Sequence, residues 1–171
     1  MDKDYSKENS VSNLVAALAQ RLITKQWVAA TAESCTGGGI AAALTDLAGS
    51  SAWFDAGFIT YSNAAKQRML GVSPEHFRES GTGAVSEAVV LEMSLGAVAR
   101  SGADVSMAVS GVAGPGGGSA EKPVGTVWIA WCVEGRADAE CFLFGGDRAQ
   151  IRHATIASAL QGLVSRIDAL A

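Results

Sequence analysis

Glycine is clustered in this chain, and the main clusters follow short apolar segments. The chain contains 20 glycines in 171 residues, about 12%, against roughly 7% in average proteins. One cluster, Gly37–Gly39, follows the apolar run Val28–Ala32, and five glycines between Gly111 and Gly118 follow the run Asp104–Ser110. Glycine allows tight turns and a close approach of the backbone to another group. The pattern therefore predicts buried strands that end in turns able to meet a ligand.

Predicted helices alternate with predicted strands along the rest of the chain. A first amphipathic helix, after a polar tail at residues 1–10, has its apolar stripe at Val11, Leu14, Val15, Leu18, Leu22 and Ile23. Further helices are predicted from the Gly37 turn to about Gly49, from Ala64 to Leu70 with Asn63 as N-cap, at Ser73-Pro74, from Ser86 to Arg100 and from Asp147 onward. Further strands are predicted at Trp53–Tyr61, Val124–Val133 and Ala137–Phe144.

This alternation predicts the α/β class. We expect a single domain over residues 11–171, folded as a three-layer α/β/α sandwich. The last two strands flank a Glu134-Gly135 turn and should form an antiparallel hairpin. The sheet should therefore be mixed and mainly parallel.

Charge and hydropathy exclude several classes of protein. Thirteen basic and 17 acidic side chains give a net charge of −4, whereas proteins that bind nucleic-acid backbones usually carry a basic excess. No apolar run approaches the roughly 18 residues of a membrane span, and the polar N-terminus does not resemble a signal peptide. We therefore expect a cytoplasmic protein that binds neither nucleic acid nor membrane.

The cysteines and histidines form no recognisable metal or disulfide pattern. Cys35, Cys132 and Cys141 have no C-x-x-C spacing, and His76 and His153 are isolated from each other. We expect no metal site. Cys132 and Cys141 fall in apolar strand runs, so both are predicted to lie in the core.

The segment Ala32–Gly38 is the first candidate site. It places Ser34 and Cys35 at the end of a strand, just before a helix begins. Backbone N–H groups at such a junction can stabilise an oxyanion or a phosphate. The alternative is that Ser34 and Thr36 only cap the helix. The segment is not a G-x-S-x-G elbow, because Ala and Thr occupy the two outer positions.

Lys66 is the second candidate. With Asn63 as N-cap it would be the third helical residue, where the helix dipole disfavours the ammonium form by roughly 0.3–1 kcal/mol. Burial would have to lower its pKa further before it could act as a base. Tyr61 precedes Lys66 by five residues and could meet it only across the strand-to-helix turn. The alternative is a solvated lysine on a surface helix.

The glycine-rich segment Ser110–Ser119 is the third candidate. It lacks the Lys-Ser/Thr ending of a P-loop, and Ser119 replaces the last glycine of a dinucleotide-binding fingerprint. It is either a loop that approaches a ligand or a flexible connection.

The start of the last helix is the fourth candidate, since Arg148 and Arg152 lie four residues apart and could clamp an anion. Alternatively, Asp147 caps this helix and pairs with Arg152.

Taken together, these segments resemble one family, the C-terminal domain of competence/damage-inducible protein A (CinA). The matching stretches are Thr31–Gly38, Gly49–Phe54, Phe58–Asn63 with Lys66, Gly83–Glu87, Ser110–Pro115, Glu121–Val127 and Gly146–Arg148. The resemblance extends over nearly all of residues 11–170, and these stretches come in the family order. The chain looks like the one-domain form of the family, whose standalone members are nicotinamide-nucleotide amidohydrolases.

The resemblance implies hydrolysis of nicotinamide mononucleotide to nicotinate mononucleotide and ammonia, without metal or cofactor, by a protein that forms homo-oligomers. By the same resemblance Ser34 would be the nucleophile, with Lys66 and Tyr61 as its acid/base partners. The implied substrate-binding residues are Cys35, Thr36, Gly37, Gly38, Ser110, Gly111, Ala113, Gly114 and Arg148. Two alternatives remain: a nucleotide-binding module without turnover, and an amidase that uses the Cys35 thiol.

Overall fold

The structure, a computed structural model, describes residues 10–170 and is built on one five-stranded sheet. The strands are β1 (Ala29–Glu33), β2 (Phe54–Ile59), β3 (Val105–Gly111), β4 (Thr126–Val133) and β5 (Arg136–Leu143). Their order across the sheet is β2-β1-β3-β4-β5. β1 pairs in parallel with β2 and β3, whereas β4 runs antiparallel to both β3 and β5. Only β4 therefore runs against the other strands, as the prediction of a mixed, mainly parallel sheet requires.

Helices cover both faces of the sheet. They are α1 (Val11–Lys25), α2 (Gly39–Thr45), α3 (Asn63–Leu70), α4 (Glu87–Ser101) and α5 (Arg148–Asp168), with short 3₁₀ turns at Ser50–Ala52 and Pro74–Phe77. α1, α2 and α5 pack together on one face, and α4, with α3 beside it, packs on the other. Each face has its own apolar core: Trp131 and Met107 lie in the first, Met93 and Val90 in the second. The predicted three-layer α/β/α sandwich is confirmed.

Two predicted helix starts and the late hairpin are confirmed in detail. The Ser86 side chain accepts a hydrogen bond from the Val89 N–H and caps α4. Asp147 caps α5 and forms a reciprocal capping box with Gln150. β4 and β5 are joined around Glu134, which adopts the left-handed conformation expected of a tight hairpin turn.

The prediction that Asn63 caps α3 is wrong by one residue. Ser62 is the cap, and its side chain accepts a hydrogen bond from the Ala65 N–H. Lys66 is consequently the fourth residue of α3 and not the third. The second helix is also shorter than predicted, because α2 ends at Thr45 and the chain continues into a separate 3₁₀ turn before β2.

Some predicted core positions lie at the surface. Cys132 is buried in β4, but Cys141 is exposed because β5 is an edge strand with one poorly covered face. Ile23, near the end of α1, is 58% exposed.

The predicted polar tail is residues 1–10. Residues 1–9 lie outside the described residues, and Ser10 is the N-cap of α1. None of the helices in residues 10–170 is both long enough and apolar enough to cross a membrane.

Candidate active site

The carboxyl ends of the three parallel strands meet at one edge of the sheet, and the first three predicted sites meet there too. Ser34 follows β1, Tyr61 follows β2, and the glycine-rich loop follows β3. This edge is where α/β sheets bind ligands. A cavity of about 280 Å³ lies there, lined by Ser34, Cys35, Tyr61, Gly111, Val112, Ala113, Gly114, Gly116, Gly117, Gly118 and Arg148.

Lys66 reaches this site from α3 and contacts Ser34 directly. Its side chain is buried, with 1% of its surface exposed. Its Nζ lies 3.0 Å from the Ser34 Oγ and donates a hydrogen bond of 2.8 Å to the Thr60 carbonyl oxygen. Burial disfavours the ammonium form and lowers the pKa of Lys66 from 10.5 to about 8. The interpretation of Lys66 as a solvated surface lysine is therefore wrong.

The Ser34–Lys66 pair has the geometry of an activated nucleophile. A hydroxyl within hydrogen-bond reach of an amine can transfer its proton when the amine is neutral. A pKa of about 8 leaves a useful fraction of Lys66 neutral near neutral pH. Within the described part of the chain, Lys66 forms no ion pair with a carboxylate that would hold it charged.

A buried carboxylate holds the turn that carries Ser34. Glu33, the last residue of β1, is completely buried and accepts hydrogen bonds from the Thr36 hydroxyl at 2.6 Å and from the Gly38 N–H at 3.1 Å. It also accepts from the N–H groups of Ile40 at 3.0 Å and Ala41 at 2.8 Å. Glu33 thus provides the negative charge that the start of α2 favours.

Several groups predicted to bind substrate are consequently engaged inside the turn. The Thr36 hydroxyl and the Gly38 N–H bond to Glu33, and the Gly37 N–H bonds to the Ser34 carbonyl oxygen at 3.0 Å. Capping of α2 by Ser34 or Thr36 is not observed, because the N-cap is Gly38 and receives no side-chain cap. Sequence reasoning missed Glu33. The available signal was a glutamate that ends an apolar strand immediately before a glycine-rich turn.

Cys35 lines the same cavity, but its thiol is poorly suited to attack. The residue is 6% exposed, and burial raises the pKa of the thiol from 9.0 to about 11. The thiolate is the nucleophilic form of cysteine. Very little of it would be present near neutral pH, which disfavours the Cys35-dependent alternative.

The two arginines at the start of α5 point to different partners. Arg148 donates to the Gly114 carbonyl oxygen at 2.8 Å and to the Tyr61 hydroxyl oxygen at 3.3 Å. Arg152 donates instead to the carbonyl oxygens of Cys35 at 3.2 Å and Thr36 at 2.8 Å. The alternative pairing of Asp147 with Arg152 is not observed, because Asp147 accepts from the Gln150 N–H. Only Arg148 lines the cavity.

The glycine-rich loop is packed against the sheet near its start, which argues against a merely flexible connection. A Cβ on Gly111 would lie 2.8 Å from the Thr126 carbonyl oxygen. Gly114 has a left-handed φ of +76°, and a Cβ there would lie 2.5 Å from Val124. The Ser110 hydroxyl is buried and donates to the Ala84 carbonyl oxygen at 2.8 Å.

Tyr61 lines the same cavity as Ser34. Its side chain is 63% exposed, and within residues 10–170 its hydroxyl bonds only to Arg148. The structure thus brings Tyr61 to the same cavity as Ser34 without a direct hydrogen bond to Ser34 or Lys66. The described residues also contain no group of three or more His, Cys, Asp or Glu side chains arranged to hold a metal ion.

Comparison with known proteins shows the family to which the chain belongs. The CinA C-terminal domain family matches residues 11–167. The chain is 53% identical over 146 residues to a protein of Enterobacter agglomerans named nicotinamide-nucleotide amidohydrolase PncC, covering 85% of this chain and 88% of the relative. It is 48% identical over 159 residues to the protein of that name from Escherichia coli K12, covering 91% and 94%.

Solved structures show the same fold. The competence damage-inducible protein A (ComA) of Klebsiella pneumoniae superposes with a TM-score of 0.88 at 42% identity, covering 93% of this chain and 98% of that one. The competence/damage inducible protein CihA of Agrobacterium tumefaciens superposes with a TM-score of 0.87 at 44% identity, covering 92% and 95%. On sequence and fold alike, the chain belongs to the CinA C-terminal domain family.

Proposed function

We propose that this chain is a nicotinamide-nucleotide amidohydrolase that converts nicotinamide mononucleotide to nicotinate mononucleotide and ammonia. The observation that carries the proposal is the 3.0 Å contact between the Ser34 Oγ and the buried Lys66 Nζ. The names of the relatives from Enterobacter agglomerans and Escherichia coli K12 supply the substrate class.

Ser34 and Lys66 act together in the first half of the reaction. Neutral Lys66 accepts the Ser34 hydroxyl proton while the Ser34 Oγ attacks the carboxamide carbon. The resulting tetrahedral intermediate collapses when Lys66 returns the proton to the amide nitrogen, which leaves as ammonia. The product of this step is an ester between Ser34 and the nicotinoyl group.

Water completes the reaction. Lys66, neutral again, accepts a proton from a water molecule as its oxygen attacks the ester carbon. The bond to the Ser34 Oγ breaks, Ser34 regains a proton, and nicotinate mononucleotide is released. The same lysine thus serves as base and acid in each half-reaction.

Tyr61, which also lines the cavity, assists proton transfer in this proposal. Arg148 donates to the Tyr61 hydroxyl oxygen, so the hydroxyl hydrogen is free to bond to a substrate. The exposure of Tyr61 leaves its ring free to move toward the pyridine carboxamide when substrate enters.

The glycine-rich loop and Arg148 bind the substrate phosphate in this proposal. Ala113 and Gly114 line the cavity, and their N–H groups have no hydrogen-bond acceptor within residues 10–170. Unpaired N–H groups in the wall of a cavity favour an anionic ligand. The Arg148 guanidinium lies next to them, at the Gly114 carbonyl oxygen. Cys35 and Gly111 line the cavity together with Ser34, whereas Thr36, Gly37 and Gly38 form the turn that carries Ser34 and do not line the cavity.

Ammonia release against a panel of nicotinamide-containing compounds tests this function. We expect ammonia and nicotinate mononucleotide in equal amounts from nicotinamide mononucleotide, and a covalent adduct on Ser34 detected by mass spectrometry after rapid quenching. Binding of the mononucleotide without ammonia release would instead support a nucleotide-binding module.

We also propose a cytoplasmic homo-oligomer. Three free thiols fit a reducing compartment, and a charged mononucleotide substrate would be found inside the cell. Exposed apolar side chains, including Ile59 and Leu143, offer surfaces for association. Light scattering coupled to size-exclusion chromatography would give the mass of the assembly.

A further inference from the structure

We propose that Arg152 and Glu33 are positioning residues. They hold the turn that carries Ser34 so that the Ser34 hydroxyl stays aligned with Lys66. This inference rests on the amide hydrolysis proposed above. Neither residue lines the cavity that contains Ser34 and Tyr61. Both nevertheless form hydrogen bonds with residues of the turn that follows Ser34.

The Glu33 carboxylate accepts hydrogen bonds from the donor groups of this turn. It bonds to the Thr36 hydroxyl and to the Gly38 N–H, and then to two N–H groups in the first turn of α2. Because Glu33 also ends β1, it joins the turn to an interior strand of the sheet. Ser34 itself continues this connection, since its N–H donates to the Val109 carbonyl oxygen of β3 at 3.1 Å.

Arg152 donates hydrogen bonds to carbonyl oxygens of the same turn. Its Nε and one terminal nitrogen donate to the consecutive carbonyl oxygens of Cys35 and Thr36. Hydrogen bonds from a charged donor are stronger than neutral ones. Because Arg152 lies on α5, it joins the turn to a helix of the opposite end of the chain.

The hydrogen bond from Arg152 to the Thr36 carbonyl oxygen restrains Ser34 through one peptide group. In a trans peptide the carbonyl and N–H groups point in opposite directions and turn together. Holding the Thr36 carbonyl oxygen therefore also fixes the Gly37 N–H, and that N–H donates to the Ser34 carbonyl oxygen. Arg152 thus restrains the backbone of the nucleophile without touching the cavity.

This arrangement predicts a loss of turnover without a loss of binding. Reaction rates depend steeply on alignment of the attacking atom, and a misplacement of about 1 Å can cost about 100-fold. A substrate bound through the glycine-rich loop and Arg148 would still bind when the Ser34 turn shifts. Arg152→Met should therefore lower kcat by about 100-fold, with KM and the affinity for nicotinate mononucleotide within about twofold of wild type.

Arg166→Met is the matched control. Arg166 also lies on α5 and donates to a backbone carbonyl, that of Gly162, but it pairs with Asp138 and Glu140 away from the cavity. It should retain wild-type kcat, even where its melting temperature falls as far as that of Arg152→Met. Arg152→Lys keeps a charged donor and should give a kcat between those of wild type and Arg152→Met.

Glu33→Gln provides an independent readout of the same effect. It retains the shape of the side chain but removes its charge, and it should lower kcat without raising KM in the folded protein. An Arg152→Met enzyme with wild-type kcat would overturn the inference, as would a rise in KM parallel to the loss of kcat. Absence of ammonia release by the wild-type protein would instead overturn the proposed function.

Discussion

The Lys66 Nζ lies 3.0 Å from the Ser34 Oγ although 32 residues separate them in the chain. β1 delivers Ser34 to the edge of the sheet, and α3 places Lys66 beside it in a buried position. The same lysine donates to the Thr60 carbonyl oxygen, just beyond β2. The pair therefore depends on two neighbouring parallel strands and on the helix that follows the second of them.

The pH dependence of kcat/KM should report the Lys66 pKa. Activity requires the neutral amine, so kcat/KM should rise with pH and level off above a midpoint near pH 8, because burial lowers the pKa of Lys66 to about 8. An unperturbed lysine would place the midpoint above about pH 10. Initial rates at low mononucleotide concentration, from about pH 6 to about pH 10, would distinguish these cases. A flat profile would exclude Lys66 as the base.

Lys66→Arg should be nearly as inactive as Lys66→Ala. The guanidinium stays protonated at all accessible pH values and cannot accept the Ser34 proton. Both variants should lose at least about 100-fold in kcat, in line with the usual contribution of a general base. Circular dichroism would verify that both are folded. High activity in Lys66→Arg would show that the site requires only a positive charge.

Arg148→Ala should change the preference for phosphorylated substrate. A charge-assisted hydrogen bond to phosphate contributes about 1.5–3 kcal/mol, so kcat/KM for nicotinamide mononucleotide should fall by a corresponding factor. The value for nicotinamide riboside, which lacks phosphate, should change little. Equal losses for both compounds would indicate that Arg148 acts only through its contacts with Tyr61 and Gly114.

The fold was predictable where local sequence determines it. The alternation of apolar runs and amphipathic segments predicts the layers, and the caps Ser86 and Asp147 are visible as side chains that can accept a backbone hydrogen bond. The hairpin at Glu134 follows from the turn residues between two apolar runs. Exposure of Cys141 was not predictable, because the sequence does not reveal that β5 is an edge strand.

The candidate site was predictable in its components but not in its contacts. Ser34 and the glycine-rich loop stand out because each follows an apolar strand. The burial of Lys66 could not be predicted from the sequence, because α3 is largely polar and looks like a surface helix. The position of Glu33 between an apolar strand and a glycine-rich turn is visible in the sequence, but its hydrogen-bond partners are not, since they span the turn and the start of α2. The catalytic roles of Ser34, Lys66 and Tyr61 remain predictions.

Gly162→Ala should destabilise the core next to α5. A Cβ at this position would lie 2.2 Å from the Trp131 ring, whose N–H donates to the Ala159 carbonyl oxygen. Overpacking of this kind costs about 1–3 kcal/mol, so the midpoint of urea unfolding should fall. Gly145→Ala is the control, because no atom lies within 4 Å of its added Cβ. Equal stability of the two variants would mean that Trp131 moves aside freely.

The most direct test of the Ser34–Lys66 account is the initial rate of ammonia release from nicotinamide mononucleotide by Ser34→Ala and Cys35→Ala. With Ser34 as nucleophile, we expect Ser34→Ala to be inactive, with little change in thermal stability because a single hydroxyl contributes about 1 kcal/mol. We expect Cys35→Ala to retain most of the wild-type rate, because burial raises the thiol pKa to about 11. An active Ser34→Ala enzyme together with an inactive Cys35→Ala enzyme would contradict the account and assign the reaction to the thiol.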